Sequence, residues 1–557
     1  MKWSVFTLVI LLLCFFPKAQ NEFITTWKPQ NFPNAPLVQA PFASSSTQVW
    51  APFQGNNYTV YWEEVGYPSH NMTMTNVTSA SQLLLDFGTP LNPAAQLAMY
   101  RVKVSNGNGS FQRVAFRDNF QSSNMNYLMG DASKITEINQ WGSTVWSSME
   151  GAFYGCRNLN MTATDSPNLS SVSDLSYMFA ECETLTGNTS FNNWNTSGVT
   201  TLLGTFSGCT LFNQPIGNWN TSNVQNMDRT FSLAQNFNQP IGNWNTSQVS
   251  TMVSMFNTAK SFNQPIGGWN VSNVTDMGVM FSNAWVFNQS IGNWNTSQVT
   301  NMTGMFFTAK AFNQPIGNWN TSSVTQMNSM FYGALLFNQP LANWNTANVT
   351  TANGMFFEAP VFNQNISSWN TSQLTSAQSM FSGASSFNQN LGSWNLSSLV
   401  TAFNMFYNSG LNCQNYDSTL YGWSLNPSTP NNVSLQSASP MNYTHPAAVA
   451  ARNYLITTKG WTINGDTYNA TCESDLSTSE TALDKETSVY PNPASDFIFF
   501  KDLKDGLSYK VFDNSGRIVL QGKLNEDKID VRNLTKGNYL LQIKTKNDVK
   551  NLKFIKN

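Results

Sequence analysis

The chain has little charge and almost no histidine. Charged residues make up 10% of its 557 residues, and its two histidines, His70 and His445, lie far apart in the sequence. A histidine-based catalytic triad or a zinc site would therefore have almost no residues to draw on. The net charge of -2 comes without a basic cluster, which argues against nucleic-acid binding because that needs Lys and Arg opposite phosphates. We therefore expect a protein that is not an enzyme and holds no cofactor and no metal ion.

Charge is scarcest in the middle of the chain. Residues 191–408 contain three basic and three acidic side chains in 218 positions. These are Arg229, Lys260, Lys310, Asp228, Asp276 and Glu358. Their scarcity predicts a neutral surface of Asn, Gln, Ser and Thr, and it excludes a ladder of calcium sites, which would need Asp in each repeat. By contrast, 14 of the 28 Lys and Arg follow Glu473, which indicates a different domain there.

A long hydrophobic run is also missing after the first residues. The N-terminus reads MKWSVFTLVILLLCFFPKAQ, with an apolar run over 5–16 and a small residue at Ala19. This pattern predicts a secretory signal peptide over residues 1–20. Cys14 would suggest a lipoprotein, but the preceding Leu13 is larger than the small residue expected there. Since no later run reaches eighteen apolar residues, we expect export without a membrane helix.

What the sequence has in abundance is a repeat. The stretch FNQPIGNWNTS begins at Phe212, Phe237 and Phe312, and near copies stand between and beyond. Tryptophan recurs every 25 residues, at 194, 219, 244, 269, 294, 319, 344, 369 and 394. Two columns of Phe keep the same period. A period of this length is typical of a solenoid, because it is too short for a four-stranded propeller blade.

Each repeat predicts a strand, a turn and a short helix. Ile316 and Trp319 lie between turn-forming residues, which favours a brief strand. Val324, Met327 and Phe331 are three or four positions apart, which favours one or two helical turns with Asn-Thr-Ser as their cap. We therefore predict a mixed α/β repeat solenoid, with short parallel strands and short helical turns, flanked by β-sandwich modules.

The repeat unit also carries a family resemblance. The pattern MFxxAxxFNQPIGNWNTSxVTxM, over roughly residues 150–410, resembles the repeats of BspA-like leucine-rich-repeat surface proteins, with Met-Phe where that family often has Ala-Phe. The resemblance implies a leucine-rich-repeat-like extracellular solenoid used in adhesion or surface interaction. It carries over no catalytic residue.

The remaining segments predict separate modules. Residues 21–130 lack the period and alternate apolar with polar residues, which favours a β-sandwich-like module. We expect degenerate capping repeats over 131–190, the regular repeats over 191–410, a second cap over 411–475 and a linker over 476–487. The second cap should contain a helix near residues 447–455 and a strand near 461–463.

The C-terminal segment, residues 488–557, resembles a second family. Its alternating runs predict a β-sandwich of up to seven strands. The Tyr-Pro-Asn-Pro at Tyr490, the turn at Gly516, the Leu-x-x-Gly-x-Tyr over 534–539 and the Lys-Phe-Ile-Lys ending resemble the type A sorting domain of the type IX secretion system. That family is confined to the Bacteroidota, and it implies transport through the outer membrane followed by release or surface attachment.

Five cysteines lie after the signal peptide. Cys413 and Cys472 bracket the second cap, and in an exported protein we predict that they pair. Closing a loop of about 60 residues should contribute on the order of 4 kcal/mol. Cys156, Cys182 and Cys209 occupy a column that later repeats fill with Ala. These three cannot all pair, so buried thiols and one disulfide are both open.

The polar and aromatic columns of the repeat have two interpretations each. Nine stacked indoles flanked by Asn could bind sugars, but a turn with about eight large apolar side chains needs Trp inside, so we predict packing. The Asn after each Trp predicts an amide ladder along the stack. The Asn-Thr-Ser that it begins is also a glycosylation sequon, which we interpret as a by-product of the turn. The next column, Thr interrupted by Val271 and Leu396, would suggest an ice-binding hydroxyl face, against which its role as a cap argues. Glu63 and Glu64 are expected to be exposed charges on a strand.

These features predict a secreted or outer-surface protein that binds macromolecules through the solenoid without catalysis. Its expected partners are protein or glycan ligands on host, environmental or neighbouring-cell surfaces, and the type IX machinery through 488–557. The alternatives are a carbohydrate-binding protein acting on polysaccharide and a structural surface-layer component. The positions left open to a ligand are the polar ones between Phe, Ile and Trp. They are Asn213, Gln214, Gly217, Asn218, Asn238, Gln239, Gly242, Asn243, Asn313, Gln314, Gly317 and Asn318.

Overall fold

The computed structural model describes residues 21–31, 44–117, 130–474, 476, 489–500, 507–513, 517–524, 528–544 and 549–557. It divides into two compact units, Met1–Ser474 and Asp475–Asn557. The predicted signal peptide over 1–20 and nearly all of the predicted linker over 476–487 lie outside the described residues. Within the described ranges, no helix has the length and apolar character needed to cross a membrane. The module boundaries predicted from the sequence stay predictions.

The first unit begins with a β-sheet module. Its strands are β1 Phe23–Trp27, β2 Gln48–Ala51, β3 Phe53–Glu64, β4 Tyr67–Ser79, β5 Leu83–Asp86, β6 Tyr100–Ser105, β7 Ser110–Val114, β8 Ile135–Gln140 and β9 Asn160–Met161. A seven-stranded sheet has the order β4-β3-β6-β1-β8-β9, with β7 also on β3, while β2 pairs with β5. A 3-10 helix spans Ala95–Leu97. Because β1 pairs with β8, the sheet continues past residue 130.

Residues 145–410, called the repeat stack below, follow this sheet. The pairing of β8 with β9 is parallel, and single parallel bridges continue it from turn to turn. Thr201 bridges to Asn226, Asn226 to Thr251, and so on every 25 residues as far as Thr401. One hydrophobic core runs without interruption from Phe23 through the stack to Ile463. Each turn therefore lies in register on its neighbours and shares their core.

The prediction of a mixed α/β solenoid is wrong. Strands account for 24% of the described residues and helices for 7%. A 3-10 helix at Thr189–Asn193 precedes the regular repeats, and no named strand or α-helix lies in 194–412. The segment expected to be a strand is a turn, in which the Trp219 backbone N–H donates to the carbonyl of Ile216 at 3.1 Å. The stack is built from turns held by single bridges.

Left-handed backbone conformations explain why the predicted helix is absent. Arg229 and Leu233 have φ values of 54° and 62°, and the equivalent positions are left-handed in the following repeats. An α-helix needs φ near -60° at every residue. The Phe231 N–H donates to the next turn, at the Met255 carbonyl, while the Ser232 N–H donates back to Arg229, at 2.9 and 3.0 Å. Tight turns bonded to their neighbours thus produce the same three-and-four spacing as a helix.

The stack ends in a mixed segment. Its elements are α1 Cys413–Leu425, β10 Ser434–Ser437, β11 Asn442–Tyr443, α2 Pro446–Thr457, β12 Thr462–Asn464 and β13 Thr467–Tyr468. The predicted helix and strand correspond to α2 and β12, whereas α1 was not predicted. Cys413, the first residue of α1, forms a disulfide with Cys472, with a Cα–Cα distance of 6.3 Å. Arg452 binds Asp466 at 2.6 Å, and the Tyr416 hydroxyl donates to the same carboxylate at 3.0 Å.

The second unit is a pair of small sheets. Its strands are β14 Val489–Tyr490, β15 Phe497–Phe500, β16 Ser508–Phe512, β17 Ile518–Lys523, β18 Lys528–Asp530, β19 Gly537–Lys544 and β20 Val549–Lys556. The order is β14-β15-β18 in one sheet and β17-β16-β19-β20 in the other. Ile498, Val511, Leu541 and Phe554 are among the residues of a separate core. This unit therefore has an interior of its own.

Candidate ligand-binding surface

The Asn and Gln columns proposed as ligand-facing hold neighbouring turns together. The Asn213 Oδ1 accepts from the Asn238 backbone N–H at 2.9 Å and from the Gln239 Nε2 at 3.0 Å. Asn313 accepts in the same way from the following turn, at 3.0 and 2.9 Å. The Gln214 Nε2 donates to the Thr186 carbonyl at 2.9 Å. The amide ladder that the sequence suggested exists, but in these columns.

The Gly columns permit close approach of the turns. A Cβ at Gly217 would lie 2.7 Å from the carbonyl oxygen of Pro240, and one at Gly317 would lie 2.5 Å from that of Pro340. At Gly242 the clash is with Pro265. Real Cβ atoms do not approach a carbonyl oxygen so closely, so any side chain would push the turns apart. The glycines are therefore part of the scaffold.

The last proposed column remains open. Asn218, Asn243 and Asn318 are exposed. No hydrogen bond joins the side chains of Asn243 or Asn318 to any other described residue. An exposed, uncommitted amide can both donate to and accept from a ligand. Of the four columns proposed from the sequence, this one has free hydrogen-bonding capacity in every turn named.

The Trp column is interior, as the packing prediction required. The Trp319 side chain is 2% exposed, and its ring centroid lies 6.3 Å from that of Trp294 and 6.5 Å from that of Trp344. Its indole N–H donates to the Ile291 carbonyl of the preceding turn at 3.0 Å. A strip of exposed indoles for sugar binding is therefore absent from this column.

The Asn and Thr that follow each Trp form the turn itself. The Asn320 Oδ1 accepts from the Ser322 backbone N–H at 3.1 Å, two residues on. The Thr321 side chain is buried, and its hydroxyl donates to the Asn345 carbonyl of the next turn at 2.9 Å. The predicted amide ladder at this Asn is wrong, because the Asn320 Oδ1 is bonded within its own turn. The predicted helix cap is also wrong, because the Asn and Thr side chains bond the turn and the backbone of the next turn instead of a helix.

The residues that an enzyme would need are engaged in structural contacts. Glu64 is buried, contrary to the prediction of an exposed charge, and its carboxylate lies 2.6 Å from the His70 Nδ1. It also accepts from the backbone N–H groups of Leu91 and Asn92, both at 2.8 Å. Burial by itself raises the pKa of Glu64, but the hydrogen bonds from His70 and the two backbone groups lower it overall. This carboxylate is held as an anion that fixes a loop.

The other candidate groups are similarly occupied. Glu63 pairs with Lys103 at 3.2 Å. The His445 Nδ1 accepts from the Ala447 N–H at the start of α2. Among the described residues, no three His, Cys, Asp or Glu side chains group closely enough to hold a metal ion.

The three remaining thiols lie in the interior. Cys156, Cys182 and Cys209 are buried and unpaired with one another. The Cys182 Sγ donates to the Phe153 carbonyl at 3.1 Å, and the Cys209 Sγ donates to the Phe179 carbonyl at 2.9 Å. Burial raises the pKa of each thiol, so the reactive thiolate is disfavoured. These residues fill the core as small side chains.

One surface feature was missed by the sequence analysis. Beside the Phe column, two successive positions of each turn lie at the surface, and over five neighbouring turns several of these positions carry large apolar or basic side chains. This set, called the Lys–Trp stripe, consists of Lys260, Trp285, Val286, Lys310, Leu335, Leu336 and Val361. The Lys260 and Lys310 Nζ atoms lie 4.5 and 4.2 Å from the Trp285 ring centroid. The available signal was that two of the three basic residues of 191–408 fall in one column on either side of a Trp.

Comparison with protein families places this geometry in context. Four overlapping segments, 118–191, 174–287, 262–361 and 337–445, match the family described as "Mycoplasma protein of unknown function, DUF285". The chain belongs to the DUF285 family. The DUF285 matches cover the repeat stack, and they support the resemblance to BspA-like repeat proteins at the level of the repeat family. They do not extend to a leucine-rich-repeat character or to a function.

A second match lies outside the DUF285 segments. Residues 488–557 match the family described as "Secretion system C-terminal sorting domain". This sorting domain supports export by the type IX secretion system and a secreted or surface-attached protein. No curated protein matches the DUF285 chain.

Proposed function

We propose that this protein binds macromolecules on host, environmental or neighbouring-cell surfaces, without catalysis, through the outer surface of its repeat stack. The observation that carries the proposal is that some positions of each turn hold the stack together, whereas others lie free at its surface. The Trp, Phe and Gly columns and the columns of Asn213 and Gln214 hold the stack together, whereas the column of Asn218 and the Lys–Trp stripe lie at the surface and take no part in those contacts. A rigid, repeated surface suits binding of extended ligands, because every turn offers the same spacing.

Two further features support this assignment. The sorting domain delivers the chain to where surface ligands are met, and an N-terminal signal peptide over 1–20, as in exported Bacteroidota proteins, would start that route. The side chains of Glu63, Glu64, His70 and His445 are committed to structural bonds. A binding role needs none of them, whereas catalysis would require at least one placed acid, base or nucleophile.

The test uses the full mature chain on an array of polysaccharides, matrix proteins and intact cells. We expect saturable binding to at least one target, competed by excess unlabelled chain and unchanged when EDTA is added. A chain that binds no target saturably would refute the proposal. A chain that consumes or modifies its target would refute the non-catalytic part.

A carbohydrate-binding role is the second candidate, favoured by the exposed amide column. Asn218, Asn243 and Asn318 repeat once per turn and could bond successive sugar hydroxyls. Replacing all three by Ala should abolish polysaccharide binding and spare protein binding if this candidate is right. The buried Trp column should contribute nothing to polysaccharide binding. Acrylamide should therefore quench the fluorescence of most indoles only weakly, and adding the polysaccharide should not change this.

Export through the sorting domain can be tested by truncation. The unit Asp475–Asn557 has its own core, so removing residues 488–557 should leave the first unit folded. We expect the shortened chain to accumulate in the periplasm. Its normal appearance outside the cell would contradict the sorting assignment.

A further inference from the structure

The Lys–Trp stripe is a band of exposed apolar side chains and two lysines that runs along several turns of the repeat stack. Trp285 is 38% exposed, and Val286, Leu335, Leu336 and Val361 are between 38% and 55% exposed. Elsewhere the exposed positions of these turns are mostly amides and hydroxyls. Side chains this large and this exposed, in consecutive turns, form a patch of the kind that marks an interaction site.

The stripe is straight because it follows the repeat. Lys260, Trp285, Lys310 and Leu335 occupy one position of four successive turns, and Val286, Leu336 and Val361 occupy the next position. Single bridges keep these turns in register. At about 4.8 Å per turn, the distance from the first lysine to the last valine is roughly 20 Å. Its ligand should be elongated.

One end of the stripe is positive. Lys260 belongs to the turn before Trp285 and Lys310 to the turn after it, and the ammonium groups of both lie over its indole ring. Their Nζ atoms are therefore no more than about 9 Å apart. Neither lysine forms an ion pair with any carboxylate in the described part of the chain. Two cations at the surface, Lys310 exposed and Lys260 partly exposed, lie on one ring without an ion-pair partner, and they favour a ligand with carboxylates at matching spacing.

The other end is apolar and bordered by a negative charge. Glu358 is exposed, three positions before Val361. Three stacked rings, Phe307, Tyr332 and Phe357, run through the same turns with centroids 4.5 Å apart and are half-buried. The pKa of Tyr332 is raised, mainly by burial and to a smaller extent by the nearby Glu358 carboxylate. The ligand must therefore change from acidic to apolar along its length.

We propose that the Lys–Trp stripe docks an extended acidic peptide segment of a partner protein, with its carboxylates over Lys260 and Lys310 and its apolar side chains over Leu335, Leu336 and Val361. This rests on the proposed binding function and names its partner. An extended chain advances about 3.3 Å per residue, so about six residues cover the stripe. Alternate side chains of such a segment face the same way and can meet successive turns.

Three other occupants fit less well. A sugar would stack on the indole of Trp285, but the ammonium groups of Lys260 and Lys310 already lie over that ring, 4.5 and 4.2 Å from its centroid. An anionic membrane gains only about 1 kcal/mol per lysine, and Glu358 would repel it. A second copy paired antiparallel about Lys310 would bring Lys260 opposite the turn of Glu358, but it would set Lys310 against its own equivalent, so only one of the two lysines would gain a carboxylate.

The experiment pans a displayed library of random twelve-residue peptides against the full mature chain. Two variants disrupt the stripe, K260E/K310E and L335S/L336S. Two controls change exposed residues of the stack outside the stripe: Arg229→Glu for charge, and Leu211→Ser, which lies in the same column as Val286. All four variants should keep the wild-type unfolding midpoint, because every changed side chain is at least partly exposed.

We expect enriched peptides that combine two or more acidic residues with apolar ones. Synthetic copies should bind K260E/K310E and L335S/L336S at least ten-fold more weakly than the wild type and bind both controls unchanged. Their affinity should fall as salt rises, since the carboxylate contacts are exposed.

Several results would overturn the peptide assignment. Failure to enrich any peptide, or equal binding to all four variants, would do so. Capture of polyuronate or of phosphatidylglycerol vesicles that is lost in K260E/K310E, without peptide binding, would assign the stripe to those ligands, and stripe-dependent dimers in sizing would assign it to a second copy. If the stripe variants still bind the surface array like the wild type, this inference fails while the proposed function stands.

Discussion

Replacing Trp319 by Ala should cost the first unit about 4 kcal/mol of unfolding free energy. The side chain is 2% exposed, it lies between two other indoles, and its N–H donates to the Ile291 carbonyl. Burial of a Trp removes roughly 150–250 Å² from water, worth roughly 4–6 kcal/mol at about 25 cal/mol per Å². Partial relaxation around the cavity brings the expected loss into the usual range of about 3–5 kcal/mol.

Trp285→Ala is the matched control, since it removes the same side chain from the same stack at a site that is 38% exposed. Its cost should be about 1 kcal/mol or less. Both losses can be measured by urea unfolding of the mature chain, followed by the fluorescence of the remaining indoles. Equal losses for the two variants, or a loss below about 1 kcal/mol for Trp319→Ala, would refute the conclusion that the Trp column is core.

The remaining predictions concern single contacts. Gly317→Ala should destabilise the stack by about 2 kcal/mol because its Cβ would meet the carbonyl of the next turn, whereas Gly268→Ala, with open space around it, should change stability by less than about 0.5 kcal/mol; urea midpoints decide. C413S/C472S should cost about 4 kcal/mol, since the disulfide closes a loop of 59 residues; an unchanged melting temperature would contradict this. The lowered pKa of Glu64 means that its stabilisation is complete above its ordinary pKa of 4.5 and is lost as pH falls through the lower folded value. Wild type should therefore lose more stability than Glu64→Gln between about pH 5 and about pH 3, and parallel losses would count against the buried anion.

The period of the sequence was enough to predict a stack with Trp and Phe inside and a neutral polar outside. It was enough because residues 25 apart, such as Trp294 and Trp319, recur without a slip, and identical positions in register must share one environment. The sorting domain could also be predicted from the sequence, because its signature residues lie in order within about 70 positions. Export and the repeat family therefore followed from the chain alone.

The local shape of a turn did not follow from the sequence. The spacing of Val324, Met327 and Phe331 is the same for a helix and for alternating right- and left-handed turns. What separates the two is whether a backbone N–H donates within its own turn or to the next one, and that depends on a neighbour 24 or 25 residues away. The helix prediction failed at that point.

The binding surface depended on the same long-range contacts. In the sequence, Asn213 and Asn218 are equally polar, and both are exposed, yet the Asn213 side chain accepts hydrogen bonds from the following turn, whereas no described residue bonds the side chain of Asn218. Trp285 and Trp319 are both tryptophans, but Trp285 lies at the surface in contact with two lysines and Trp319 lies in the core. Periodicity identifies which positions are equivalent, whereas the hydrogen bonds and burial between stacked turns determine which of them remain available to a partner.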